Sequence, residues 1–396
     1  MTRQSYEFLI LGGGTGGISV AARLAKSVGP GRIAVIEPST THDYQPLWTL
    51  AGAGVCRREI TRKATAKLVP SGVGWVHDAV ARIDPTAGKV HTASGDEIEY
   101  RWLVVALGIQ LDWTRVAGLE NTIGTLGTCS VYSYDLVESV WSNIRDFRGG
   151  TALFTHPSGP VKCGGAPQKI MYLAADHWRR AGILDKCRIR FFTAQPKLFP
   201  VARYLPALER VVARYGCEVN VQRDLTAVHA SSRRATFRDL SGGPDQVAEY
   251  DMLHVVPPMR APASIAASGL ADGGGFVDVD RHTLQHVRHP NVFALGDSSN
   301  LPTPKTGAGI RKQAPVLVAN LLAARAGSQL LAKYDGYTSC PLITARGKVI
   351  LAEFDYDLAS KETFPFDQSI ERRSMYWLKR YLLPKLYWHG MMKGRL

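Results

Sequence analysis

The segment from Tyr6 to Gly17 constrains this chain more than any other. A β-rich apolar run, Tyr6 to Leu11, passes directly into Gly12-Gly13-Gly14-Thr15-Gly16-Gly17 and then into a helical stretch, Ile18 to Lys26. Strand, glycine turn and helix in that order begin a βαβ dinucleotide site, with Gly13 inside the turn. Gly12 allows the tight turn, Gly14 lets a pyrophosphate lie against main-chain N–H groups at the helix N-terminus, and Gly17 lets helix and strand pack closely. A second strand, Arg32 to Ile36, ends at Glu37, where a carboxylate can bind a ribose hydroxyl. The motif accommodates NAD or FAD equally.

Further strands are predicted at Gly74 to Val76, Lys89 to His91 and Trp102 to Ala106, the last running into Gly108. From about residue 150 the β/α rhythm restarts: strand Thr151 to Thr155, helix Ala166 to Arg180, strand Arg188 to Thr193, a helix near Leu205 to Tyr215 and strand Glu218 to Val221. A chain of 396 residues has room for two cores, so this reads as a second α/β domain inserted in the first. The chain returns to its first domain at Asn291 to Gly296, followed by the helical run Gly309 to Arg325.

Composition narrows the possibilities. Hydrophobic residues at 45% and charged residues at 21% exclude a disordered or collagen-like chain. Six cysteines are too few for a disulfide scaffold, and none forms a CxxC or a Cys/His cluster of zinc spacing, so no metal site is expected. No apolar run reaches the roughly 18 residues of a membrane span. The net charge of +14 favours an anionic partner. Much of it sits in residues 369–396, where seven Lys and Arg face a single acid, Glu371, and alternate with Tyr376, Trp377, Tyr381, Tyr387 and Trp388. On a helical wheel Met375, Trp377, Leu378, Tyr381 and Leu382 share one side and Lys379 and Arg380 the other, before Pro384. That is the pattern of a helix lying on an anionic membrane surface. Removing residues 372–396 is therefore expected to release the protein from membranes and leave its cofactor in place. A charge concentrated on an aromatic amphipathic tail argues against nucleic-acid binding.

Two further motifs bear on the cofactor. Val292-Phe293-Ala294-Leu295-Gly296-Asp297 resembles the second flavin motif of the two-dinucleotide-binding flavoproteins, whose aspartate binds the ribityl chain, and Leu103-Val104-Val105-Ala106-Leu107-Gly108 resembles their strand-end motif between domains. FAD is the cofactor this implies. A pyridine-nucleotide reductase of that class needs a second glycine fingerprint after the first strand of the inserted domain. There the chain reads Thr155-His156-Pro157-Ser158-Gly159-Pro160-Val161-Lys162-Cys163-Gly164-Gly165-Ala166-Pro167, with prolines and a lysine in the turn. In place of a pyrophosphate cradle stands a cysteine at the mouth of a helix, where the helix dipole and Lys162 lower a thiol pKa.

That stretch and its surroundings resemble the sulfide:quinone oxidoreductases, in particular their mitochondrial-type branch. The resemblance runs through Tyr44 to Leu50, Ala106 to Asp112, Val161 to Leu173, Leu301 to Thr306, Tyr334 to Leu342 and Ile350 to Tyr356. It implies an α/β fold of two Rossmann-like dinucleotide-binding domains, of the FAD/NAD(P)-linked disulfide-reductase type, with a C-terminal amphipathic membrane-binding segment. The expected divisions are residues 1–112 and 260–330 for a discontinuous FAD-binding domain, 113–259 for the second Rossmann-like domain with Cys163, and 331–396 for a C-terminal region with Cys340. It also implies a redox disulfide between Cys163 and Cys340, in which hydrosulfide leaves a persulfide on Cys340 and Cys163 forms a thiolate–flavin adduct. The sulfane sulfur passes to a small nucleophilic acceptor (sulfite, a thiol or polysulfide), and FAD passes two electrons to a membrane quinone. Gln45, Val80, Lys305 and Thr306 match positions that contact FAD in that family. They join Gly12, Gly13, Gly14, Gly17, Glu37, Gly108 and Asp297 as the expected cofactor contacts.

Lys162 is a candidate for stabilising a thiolate or attracting hydrosulfide, and Phe354, Phe364 and Phe366 for walling a quinone pocket. Other branches of the family use a third cysteine near the position of Cys129, whereas Cys56, Cys187 and Cys217 read as ordinary buried thiols. The alternative enzyme is a type II NADH:quinone oxidoreductase, against which the missing second fingerprint and the two placed cysteines argue. A flavin-bearing redox sensor is the alternative from another class. With no presequence in view, the expected location is a peripheral, monotopic protein on the cytoplasmic face of a bacterial inner membrane.

Overall fold

The computed structural model describes residues 3–396. The first strand, β1 (Arg3–Leu11), leads through the glycine turn into helix α1 (Thr15–Leu24), and β2 (Ile33–Ile36) returns parallel beside it. Their inner residues Phe8 to Leu11 and Ile33 to Ile36 are almost fully buried, as expected of parallel strands covered on both faces. This sheet has seven strands in the order Gly74–Val76, β2, β1, Glu97–Val105, Lys89–Thr92 and Val80–Asp84, with Val292–Ala294 also pairing Glu97–Val105. The strand Glu97–Val105 pairs with β1 along one edge and serves two neighbours along the other. Its first half pairs antiparallel with Lys89–Thr92, while Leu103 to Val105 run parallel to Val292–Ala294, so the chain re-enters this sheet after the inserted part.

The turn closes because Gly17 lets it. A Cβ there would stand 1.8 Å from the Gly12 carbonyl oxygen, and Gly12 itself has φ of +97° with the Ala106 carbonyl 2.4 Å from where its Cβ would be. Only glycine meets both demands.

A second parallel sheet of five strands runs in the order Thr128–Cys129, Met252–His254, Gly150–His156, Cys187–Thr193 and Glu218–Asn220. Helix α2 (Ala166–Arg180), with Pro167 in its first turn, packs on it and is buried along most of its length. Residues 223–249 form a three-stranded antiparallel sheet beyond the strand Glu218–Asn220.

The hairpin β3 (Thr338–Ala345) and β4 (Lys348–Phe354) ties the two α/β units together. Side chains of a strand alternate between faces. Here Cys340, Leu342, Ile350 and Ala352 enter the apolar core of the second unit, while Ile343, Val349 and Leu351 enter that of the first. The hairpin is thus a wedge with one face in each core, and it carries Cys340 to α2.

The C-terminal segment departs from the expected wheel. It comprises Arg373–Trp377 in α-helix, Leu378–Leu382 in π-helix and Leu383–His389 in α-helix again. Met375, Lys379, Tyr387 and Met391 are buried, with Leu383 among them partly buried, so the inward stripe advances by four residues. A four-residue step overshoots an α-turn by about 40°, and the wider π-turn compensates by undershooting. Lys379 is therefore an inward residue, not part of a polar face, and Trp388 packs against Tyr44 and His42 instead of facing outward. Trp377 and Tyr381 remain about half exposed, at 57% and 49%. No helix among the described residues is long and apolar enough to cross a membrane.

Replacing Gly17 with alanine is expected to destabilise the fold by about 1 to 3 kcal/mol through this overpacking. Urea unfolding measures it, and wild-type stability would contradict the close approach of α1 to β1.

Candidate active site

One cavity of about 810 Å³ gathers most of the expected site residues. Gly12, Gly14, Glu37, Gln45, Val80, Gly108, Asp297, Lys305 and Thr306 line it, as do Lys162 and Cys163. Gly13 stands beside the lining, its N–H donating to Glu37 Oε2 at 2.7 Å, and Gly17 packs behind it. The Ser39 N–H also donates to the Glu37 carboxylate, so that side chain is fixed at the end of β2.

The cavity suits a dinucleotide. Nothing lies within 4 Å of the point where a Cβ on Gly14 would stand, which leaves the N-terminal end of α1 open to an anion. Asp297 also lines the cavity, near Lys305 and Lys162, and desolvation raises its pKa against the pull of those two cations. Burial lowers Lys305 to about 8, against the pull of Asp297, and its Nζ donates to the Ser299 carbonyl at 3.0 Å. The cavity therefore combines an anion cradle at the N-terminus of α1 with a carboxylate, Asp297, that feels two lysines, which fits FAD.

The two cysteines meet at the edge of this cavity. Cys163 has a left-handed backbone, φ +53°, which is strained for a residue with a side chain. Its N–H donates to the Lys305 carbonyl at 2.9 Å, its carbonyl accepts from the Ala166 N–H at 2.8 Å, and the Tyr132 hydroxyl donates to the same oxygen at 3.2 Å. The loop before α2 is thus sewn to the segment that carries Lys305. Cys340 arrives from β3 over Gly165, where a Cβ would stand 2.3 Å from the Cys340 sulfur. Both are free thiols, and each shifts the other's ionisation.

Their electrostatics are unequal. The Cys340 thiol holds the Cys163 pKa well below the ordinary thiol value, overcoming burial, and Lys169 adds to the effect. The Cys163 sulfur, together with burial, pushes Cys340 up. Cys163 is the thiolate of the pair. Its companion cation is Lys169, whose Nζ donates to Cys163 Sγ at 3.1 Å, rather than the expected Lys162. Lys169 lies in α2, within two turns of Cys163. Burial lowers its pKa, but the Cys163 and Cys340 sulfurs outweigh burial and leave it raised. Lys162 instead lies over the Trp48 ring, 5.7 Å from its centroid.

A third lysine belongs to the site although the helical wheel puts it on the polar side with Arg380. Lys379 is 2% exposed and lines the cavity. Burial and the repulsion of Lys169 bring it down to about 7, while the two site sulfurs act in the other direction. In sequence its only signal is a lysine four residues after Met375 and four before Leu383, in an otherwise apolar stripe.

The remaining candidates separate by position. Phe364 lines the cavity and stacks on Phe366 at 5.3 Å, whereas Phe354 is buried in the core against Phe199. Cys129 lies fully buried in its strand, and burial alone drives its thiol pKa far up. The tail does not stand apart from the cofactor site, as a separable anchor would. Lys379, Leu383, Leu386, Tyr387, Met391 and Leu396 all line the same cavity.

Two α/β units, a glycine-turn anion cradle and a cysteine pair at the cavity edge define a two-dinucleotide-binding flavoprotein of the disulfide-oxidoreductase class. Residues 6–141 match the pyridine nucleotide-disulphide oxidoreductase family. The chain is 45% identical to the mitochondrial sulfide:quinone oxidoreductase of Mus musculus over 393 residues, which is 99% of this chain and 87% of that one. To the mitochondrial enzyme of Dictyostelium discoideum it is 46% identical, over 98% of this chain and 86% of the other. The solved structure of the Aquifex aeolicus sulfide:quinone oxidoreductase superposes with a TM-score of 0.82 at 19% identity, covering 98% of this chain and 92% of that one. The chain belongs to the sulfide:quinone oxidoreductase family, and it is a FAD-dependent oxidoreductase. Its relatives at this level of identity are mitochondrial by name, so they give no support to the expected bacterial inner membrane.

Lys169→Met is expected to slow alkylation of Cys163 at neutral pH by about tenfold or more, because loss of a close cation favours the thiol over the thiolate. Mass spectrometry of iodoacetamide-treated protein measures the rate. An unchanged rate would remove Lys169 from the thiolate's support.

Proposed function

We propose that the protein oxidises hydrosulfide through Cys163 and Cys340 and delivers the electron pair by way of FAD to a membrane quinone. The observation that carries this reading is the convergence of Cys163, at the edge of the dinucleotide cavity, with Cys340, whose sulfur closes over Gly165, and with Lys169 Nζ on Cys163 Sγ at 3.1 Å. In the oxidised pair the two sulfurs share one bond. Hydrosulfide attacks the Cys340 sulfur, the new S–S bond leaves a persulfide there, and Cys163 departs with the electron pair as a thiolate. Lys169 stabilises that leaving group, and unequal thiol pKa values favour this direction of cleavage. A nucleophilic acceptor (sulfite, a low-molecular-weight thiol or polysulfide) then takes the outer sulfur of the persulfide and frees Cys340. Sulfide thereby loses two electrons and becomes sulfane sulfur. Bound FAD supplies the two-electron carrier between the cysteine pair and the quinone. Gly12, Gly13, Gly14, Gly17, Glu37, Gln45, Val80, Gly108, Asp297, Lys305 and Thr306 hold it, within a first domain of residues 1–112 and 260–330 set against a second of 113–259.

The outward face of the C-terminal segment, with Trp377, Tyr381, Arg373 and Lys385 exposed, suits an anionic bilayer surface. A quinone with a long apolar chain must be met there. The type II NADH:quinone alternative lacks support in the turn before α2, where Cys163 and two prolines occupy the place of a nucleotide fingerprint.

An anaerobic flavin spectrum tests the reaction. Sulfide is expected to bleach the flavin and a short-chain quinone to restore it, with no response to NADH; bleaching by NADH and none by sulfide would sink the assignment. Cys340→Ser is expected to lower sulfide-dependent quinone reduction by about 1,000-fold or more, since no persulfide can form, and near-normal turnover would refute its role. The double variant Trp377→Ser, Tyr381→Ser is expected to weaken co-sedimentation with anionic vesicles by about tenfold. Unaltered sedimentation would put the membrane surface elsewhere.

A further inference from the structure

We infer that the C-terminal segment is a lock on the cofactor loop, with Tyr387 as its bolt. The Tyr387 hydroxyl is buried between two residues that are remote in sequence, Thr15 and His42. Donor directions follow from chemistry. The Gly13 carbonyl can only accept, so the His42 Nδ1–H donates to it, at 3.0 Å. Burial lowers the His42 pKa and keeps the ring neutral, which leaves Nε2 an acceptor for the Tyr387 hydroxyl at 2.5 Å. The Tyr387 oxygen in turn accepts from the Thr15 hydroxyl at 2.8 Å. The chain of bonds therefore starts and ends in the glycine turn, at the Thr15 side chain and the Gly13 main chain.

This closed circuit bears on anion recognition, not only on packing. In a trans peptide the carbonyl and the following N–H point in opposite directions. Holding the Gly13 carbonyl on His42 therefore fixes the Gly14 N–H to point away from His42, at the residue that lines the cavity. Thr15 begins α1, so its side chain is held at the helix N-terminus where a pyrophosphate is recognised. Tyr387 itself lines the cavity beside Gly14, Thr15 and Gly16.

The bolt is seated from several sides. The Tyr44 ring lies 4.5 Å from that of Tyr387, and Lys63 sits over Trp388 at 4.6 Å. Beyond the helix, Gly394 packs on Ala22 of α1, and Lys26 Nζ donates to the Gly394 carbonyl at 2.6 Å. Tyr387 and His42 are positioning residues: they hold the loop that holds FAD. This assignment is independent of the membrane reading above.

The experiment measures FAD release from the purified holoenzyme by flavin fluorescence after dilution, together with the unfolding temperature of apoprotein and holoprotein. Tyr387→Phe keeps the ring and removes the hydroxyl. It is expected to speed FAD release by about 3- to 10-fold, the worth of one or two buried hydrogen bonds. The FAD-dependent rise in unfolding temperature should shrink, the holoprotein losing more stability than the apoprotein. His42→Phe should give the same effect, and the double variant no more than the larger single one, because both cut one circuit. A chain ending at Leu382 should purify with little FAD. Wild-type release from Tyr387→Phe would overturn the lock, as would an apoprotein destabilised as much as the holoprotein, or a truncated chain that retains stoichiometric FAD.

Discussion

The bond from the Cys163 N–H to the Lys305 carbonyl is the contact on which the site depends. It joins the loop of one α/β unit to the flavin-side segment of the other, and it does so at a residue held in the left-handed region. A non-glycine backbone at positive φ persists only where its surroundings over-determine it. Here three hydrogen bonds on one residue supply that constraint, through Lys305, Ala166 and Tyr132. The consequence is a sulfur presented at the cavity edge, fixed relative to the segment that carries Lys305. The hairpin β3–β4 completes the arrangement by setting alternate residues into both cores, so Cys340 cannot shift relative to Cys163 without disturbing either one.

Around those sulfurs the interior carries an unusual charge. Lys169 and Lys379 are both nearly fully buried, at 2% exposure each, and Lys162 lies close by. Buried ammonium groups are costly unless anions accompany them. The Cys163 thiolate satisfies Lys169, which explains why that lysine stays charged while Lys379, repelled by it, comes down to about 7. An anionic sulfur species entering this pocket would be met by an excess of positive potential. The same excess stabilises a departing thiolate, so attraction of substrate and support of the leaving group share one physical origin.

Legibility in the sequence followed the range of the interactions. The βαβ start was readable because strand, glycine turn, helix and acid lie within about forty residues and answer to local rules; only its ends moved, to Arg3–Leu11 and Thr15–Leu24. Cys163 announced itself by replacing a fingerprint. Its pairing with Cys340 came from resemblance alone, since nothing local to residue 340 marks a redox sulfur. Lys162 was the natural candidate by adjacency, yet the left-handed turn at Cys163 directs the sulfur toward the helix that follows, and Lys169 reaches it from there. Lys379 was misread for a different reason. A wheel at a constant 100° per residue places it with Arg380, and a π-turn, which no residue preference signals, brings it into the apolar stripe. The circuit of Thr15, His42 and Tyr387 spans most of the chain and has no local signature at all.

The C-terminal segment therefore has to satisfy two environments with one helix. Its inner stripe reaches the sulfurs through Lys379 and the glycine turn through Tyr387, while Trp377 and Tyr381, on either side of Lys379, lie outward. The stripe holds its line only because α and π turns offset each other's drift. Straightening the π-turn into regular helix would rotate everything beyond it, which separates the Lys379 register from the Tyr387 register. A helix that had only to coat a surface would need no such irregularity. The π-turn is the local cost of making the same residues line a reaction cavity and close a cofactor loop, and it explains why the tail resists description as an appendage.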